Sequence, residues 1–162
     1  MTRKLQASGR YQDYQKVFND WENEGIIEAV DEKSDRCHYL PHRAVFKSDS
    51  QTTPVRPVFD ASCKTDRSPS LNDLLEKGPN LLELLPTVLL RFRENKIGVT
   101  ADIRKAFQMI EVDEKDRDFL RILWWEDLET RKFKMYRHKR VVFGVNCSPF
   151  LLKYTSAMGR SA

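Results

Sequence analysis

From residue 11 onward the apolar positions fall at helical spacing. Tyr11, Tyr14, Val17, Phe18 and Trp21 are separated by threes, fours and sevens, which gathers them on one face of a helix predicted over 11–24. Gly25 follows as the residue that can turn left-handed and end it. The period then shortens. Residues 38–47 (HYLPHRAVFK) and 55–62 (VRPVFDAS) predict two strands, and the polar, turn-forming SDSQTTP between them makes a hairpin, with Lys47 at one end and Arg56 at the other. Pro41 and Pro57 mark edge positions or bulges. After the irregular SPSLNDLLEKGPN, residues 85–95 predict a short helix that tolerates Pro86 in its first turn. Val88, Leu89 and Phe92 would form its buried stripe, and Arg91, Arg93 and Lys96 crowd the end where cations suit the helix dipole. Residues 96–103 (KIGVTADI) predict a buried strand. Residues 116–125 and 133–143 predict two more, joined by EDLETRK. At Gly144 the pattern breaks, and GVNCSPFLLKY is a loop entering a helix. Strands mixed irregularly with helices, joined by connections short enough for antiparallel pairing, predict an α+β fold.

Composition narrows the class. The chain has 162 residues, 40% hydrophobic and 32% charged, which suits a soluble globular domain or a piece of a larger one. The longest uncharged apolar run, Leu84 to Leu90, is too short to cross a bilayer and contains Pro86. The first residues, MTRKLQASGRYQDY, are basic but lack the apolar core of a secretory signal, so no membrane partner is expected. Three widely spaced cysteines without a C-x-x-C pair fit free thiols in a reducing, intracellular compartment. Cys37, His38 and His42 sit close enough together to suggest a metal trio, although no fourth ligand stands at zinc-finger spacing. The net charge of +4 is uneven: residues 1–36 carry −2 and the remainder +6. The basic part suits a polyanionic partner, and six Lys/Arg between 131 and 140 are its densest stretch, but a solvated basic surface accounts for it nearly as well.

Asp102 is the residue the pattern does not explain. A carboxylate closing an apolar run serves either to cap a turn or to hold a hard cation. The following IRKAF could aim backbone N–H groups at an anion, with Phe107 as an aromatic wall. Lys47 and Arg56 supply cations from a separate hairpin. Together these are the parts a nucleoside triphosphate needs. In FGVNCSPF, Gly144 and Pro149 flank small residues suited to close backbone approach to a ligand.

In their order and spacing, five stretches resemble the reverse transcriptase of Pao/BEL-type LTR retrotransposons: YLPHRAVFK, RPVFDASCKTD, SLNDLLEKGPNL, LLRFRENKIGVTADIRKAFQMIEVDEKDRDFLRILWW and VVFGVNCSPF. The likeness covers about residues 10 to 152. It implies the fingers and part of the palm of a right-hand polymerase, a partner in nucleic-acid template–primer and dNTP, and nucleotidyl transfer to a primer 3′-OH with two Mg²⁺. Asp102 would be the first catalytic aspartate and a ligand of both metals, and Ile103 would lend its carbonyl to one of them. Lys105 and Ala106 would offer backbone N–H groups to the triphosphate. Phe107 would be the steric gate that rejects a ribose 2′-OH. Arg56, and more loosely Lys47, would contact the triphosphate. Gly144, Ser148 and Pro149 would form the loop against which nucleotide and template rest.

The chain departs from that family at one decisive point. No Asp or Glu follows Glu129, and Tyr-x-Asp-Asp occurs nowhere. The chain is therefore expected to end before that hairpin and before the remainder of the Pol polyprotein, and to be inactive alone. The expected organisation is a helical lead-in over 1–36, fingers and partial palm over 37–152, and an unassigned tail over 153–162. Two other readings stand beside it: a non-catalytic nucleic-acid binding or interaction module using 131–140 and the hairpin, or a translated retroelement remnant without function.

Overall fold

The computed structural model describes residues 1–31, 34–47, 54–65 and 68–158. It is a mixed α+β fold with two antiparallel sheets. The helices are α1 (Thr2–Ala7), α2 (Tyr11–Asn23), α3 (Leu71–Leu74), α4 (Leu85–Phe92) and α5 (Ser148–Met158); the strands are β1 (Ile27–Ala29), β2 (His42–Phe46), β3 (Val55–Phe59), β4 (Arg121–Asp127) and β5 (Lys132–His138). One sheet has the order β1-β5-β4 and the other is the β2–β3 hairpin. Among the described residues, no helix is long and apolar enough to cross a membrane.

The α2 face does what its spacing predicts. Tyr14 and Phe18 are fully buried, and α2 packs on both β1 and β3, so one helix joins the two sheets. Trp124 of β4 stacks on Phe18 at 5.2 Å and meets Tyr14 edge-on at 5.0 Å. Such aromatic pairs add about 0.5–1.5 kcal/mol each beyond the area they bury. The polar tips find partners: Trp124 Nε1 donates to Gln15 Oε1 at 2.7 Å, and the Tyr14 hydroxyl lies 2.8 Å from His42 Nδ1. His42 Nε2 in turn lies 3.0 Å from the Leu123 carbonyl, so this ring ties the hairpin to β4. Gly25 ends α2 with φ +67, and the Ile26 N–H returns to the Trp21 carbonyl, a left-handed helix stop.

Several predicted elements shift. The strand expected over 116–125 begins only at Arg121, because Glu114–Leu120 forms a 3₁₀ helix capped by the Asp113 side chain. The strand expected over 133–143 ends at His138. The largest difference is the strand expected over 96–103, which does not form. A strand exists only through a pairing neighbour, and no described strand runs beside these residues. The stripe of Val88, Leu89 and Phe92 is likewise not buried: every residue from 84 to 104 is exposed. The sequence pattern registered the apolar character correctly but could not show whether a covering element is present.

The accessible surface is 12,321 Å², against about 8,400 Å² for a compact chain of 19.1 kDa. Leu89, Leu90, Ile97 and Val99 are 58–83% exposed, far beyond scattered surface apolars. The chain is expected to bind an apolar dye such as ANS strongly and to associate as its concentration rises. Leu89→Glu combined with Val99→Glu should weaken both by severalfold. A monomer that stays dye-silent at high concentration in light scattering would contradict this.

Candidate functional site

The β2–β3 hairpin pairs Val45 with Arg56 and Phe46 with Val55, and the Lys47 N–H donates to the Pro54 carbonyl at 2.8 Å. Lys47 and Arg56 therefore do not mark opposite ends of the hairpin. Its register puts both at the turn end, and both are exposed. Residues 48–53, where the sequence predicts the turn, lie outside the described residues. Three residues along β3 from Arg56, Phe59 is buried, and its backbone meets the second part of the site.

That part is Gly144. Its φ is +94, and a Cβ built there would lie 2.2 Å from the Phe59 carbonyl oxygen. Only glycine fits a chain that runs this close to another backbone. Next to it, Phe143 meets Phe107 edge-on with ring centroids 4.7 Å apart. Phe107 belongs to the 3₁₀ turn Ala106–Met109, which follows Lys105 in the left-handed conformation (φ +53). Lys105 Nζ donates to Glu24 Oε2 at 2.6 Å, anchoring the turn to the end of α2. Ser148 is buried and its Oγ donates to the Val142 carbonyl at 2.8 Å, which fixes the entry to α5. Pro149 is exposed in the first turn of that helix. Ile103 and Ala106 line an apolar groove of about 380 Å³ with Met109, Ile110 and Leu152.

Of the residues singled out in the sequence, Ala106, Phe107, Gly144, Ser148 and Pro149 share one region, bounded by β3 and reached by Lys105. Asp102 does not join them as a strand-end carboxylate. It is exposed in the unpaired 97–103 stretch. The arrangement does not suit two magnesium ions: Asp102 and the Ile103 carbonyl stand alone, and no group of three or more His, Cys, Asp or Glu able to hold a metal occurs among the described residues. The Cys37–His38–His42 trio fails too, since both His42 nitrogens are engaged by Tyr14 and Leu123.

The basic stretch 131–140 is largely neutralised. Lys132 pairs with Glu126, Lys134 with Glu22, and Arg140 with Glu111. Arg137 reaches Glu28 at 2.7 Å and Asp118 at 3.3 Å, and Lys139 also meets Glu28. Burial works to raise the pKa of the Asp118 carboxyl, but hydrogen bonds from Arg121 and Arg137 outweigh it and leave it below the usual range.

Sequence reasoning missed Asn72. The Ser70-x-x-Asp73 spacing announces the capping box that starts α3, but nothing local shows that Asn72, inside that box, reaches across the fold. The Asn72 Nδ2 donates to Ser62 Oγ at 2.9 Å and to the Gly144 carbonyl at 3.0 Å. Its Oδ1 accepts from the Asn146 N–H, and its carbonyl accepts from Asn146 Nδ2. No protein-family model matches the chain, and no curated protein matches it.

Proposed function

We propose that this chain is the fingers and part of the palm of a reverse-transcriptase-like polymerase, able to hold a dNTP and a nucleic-acid strand but not to join them. One observation carries the reading. Phe107 rests on Phe143, and Gly144 rests on the backbone of β3, the strand that also carries Arg56. Three stretches far apart in sequence, each resembling a nucleotide-binding motif of the same polymerase family, thus meet in one place. In this reading Arg56 and Lys47 meet the triphosphate, Phe107 faces the sugar, and the Gly144–Pro149 loop backs the base pair.

The reading assigns no turnover to these 162 residues. In-line phosphoryl transfer of this kind needs two metals about 4 Å apart, and Asp102 alone cannot hold them. The missing carboxylates would belong to the remainder of a Pol polyprotein. The exposed apolar surface over 84–104 is what a polymerase palm without its covering strands would present. Pairing of the 131–140 cations with carboxylates counts against the alternative in which that stretch is a nucleic-acid binding module in its own right.

The test is a dATP titration followed calorimetrically. Arg56→Ala is expected to weaken binding about tenfold, the effect of losing one charge-assisted contact, while Lys132→Ala leaves it unchanged. A wild-type chain that binds no dATP would overturn the proposal.

A further inference from the structure

We propose that Asn72 is the positioning residue for sugar discrimination at this site, acting through the 143–146 loop on the Phe107 ring. The inference rests on the nucleotide-site reading above and names what sets its selectivity.

Asn72 bonds through every polar group it has. Its N–H donates to the Ala61 carbonyl at 2.9 Å. Its side-chain amide spans Ser62 Oγ, the Gly144 carbonyl and the Asn146 N–H, and its own carbonyl takes the Asn146 side chain. Two asparagines thus clasp each other reciprocally across 74 positions of sequence, one from the first turn of α3 and the other from the loop. Among the described residues, the loop's other ties flank Gly144 rather than hold it: Val142 and Val145 are buried in the core, and Ser148 bonds the Val142 carbonyl through Oγ and the Val145 carbonyl through its N–H. The loop has no freedom to settle closer, because Gly144 already lies against the Phe59 carbonyl. It has no reason to lift away while Asn72 holds the Gly144 carbonyl.

The consequence falls on the residue before Gly144. Phe143 is 56% exposed, so packing alone does not fix it. Its described ring contact is the edge-to-face pair with Phe107. Where Gly144 sits decides where the Phe143 backbone sits, and Phe143 in turn props the Phe107 ring. A gate that distinguishes a 2′-OH from a 2′-H works on a difference of one oxygen atom. It therefore depends on the ring being held to a fraction of an ångström. Asn72 touches no nucleotide in this account, so it is a positioning residue and not a catalytic one.

The experiment compares dissociation constants for dATP and ATP on the full 162-residue chain. The wild type is expected to favour dATP by about tenfold. Asn72→Asp keeps the acceptor for the Asn146 N–H but replaces the donor to Gly144 with a carboxylate oxygen, which repels that carbonyl. Its dATP-to-ATP preference is expected to fall to near one, while circular dichroism still reports a folded chain. Ser62→Ala removes only the outer bond and should retain the preference. If Asn72→Asp does not fold, Asn146→Ala, which removes one half of the clasp, decides the question with the same expected loss. A folded Asn72 or Asn146 variant that discriminates as the wild type does overturns this inference and leaves the nucleotide site standing. A wild type that binds dATP and ATP equally well also overturns it. A wild type that binds neither overturns the nucleotide-site reading itself, and the inference with it.

Discussion

Gly144→Ala is expected to lose on the order of 3 kcal/mol of stability, a large share of what a domain this size has to lose. Two penalties act together. The residue has φ +94, where an L side chain is strained, and the added Cβ would stand 2.2 Å from the Phe59 carbonyl oxygen, a backbone atom that cannot rotate away. Relief requires β3 and the 143–146 loop to part, which also stretches the Asn72 bond to the Gly144 carbonyl. Gly9→Ala is the matched control. Gly9 has φ +68 but nothing within 4 Å of the built Cβ, so it should lose only about 1 kcal/mol through backbone strain. Urea midpoints of the two variants isolate the contact. A Gly144→Ala variant no less stable than Gly9→Ala would show that the loop does not bear on β3.

The second large effect is acid lability centred on His138. The ring is completely buried, and among the described residues neither nitrogen has a hydrogen-bond partner. It lies edge-on to Phe59 at 4.8 Å and near Trp21 at 5.8 Å, and faces Ile27 across the β1–β5 register. Among the described residues, the titratable group set against it is His42, whose own pKa burial depresses. Desolvation, with a smaller contribution from His42, pushes the His138 pKa down to about 3 from an ordinary 6.5. The sign follows from linkage. The unfolded chain takes up the proton first as pH falls, so the stability is complete above about pH 6.5 and declines as pH drops from there toward 3. The slope is about 1.4 kcal/mol per pH unit, and the full loss about 4–5 kcal/mol. His138 sits where β5 meets α2 and β3, so the expected event is separation of the hairpin from the three-stranded sheet. His138→Leu should flatten this limb and change stability at pH 7 by less than about 1.5 kcal/mol. An unchanged acid slope in that variant would assign the lability elsewhere.

What the sequence revealed and what it hid divide along physical lines. The α2 face was legible because its pattern reports one helix burying one side, and Tyr14 and Phe18 are buried as predicted. The β2–β3 pair was legible from its turn chemistry, but its register was not, since register depends on cross-strand packing, and so Lys47 and Arg56 proved to be neighbours at the turn. Residues 96–103 were misread as a buried strand because apolar alternation records a need for cover, not its presence. At the site, Gly144 stood out as a breaker, whereas its cause, the Phe59 carbonyl, lies 85 residues away in sequence. Asn72 and Phe143 were invisible for the same reason: each matters only through a contact that no local pattern encodes.

The most direct test of the central claim uses a labelled primer annealed to an RNA template, with the four dNTPs and magnesium. Binding to the 162-residue chain is followed by anisotropy as salt is raised, and the primer is then resolved on a denaturing gel. The account predicts binding that weakens steeply with salt, as phosphate contacts require, and a primer of unchanged length, because among the described residues no metal-holding cluster stands with Asp102. A lengthened primer whose extension is abolished by Asp102→Asn, or the absence of any binding even at low salt, would contradict it.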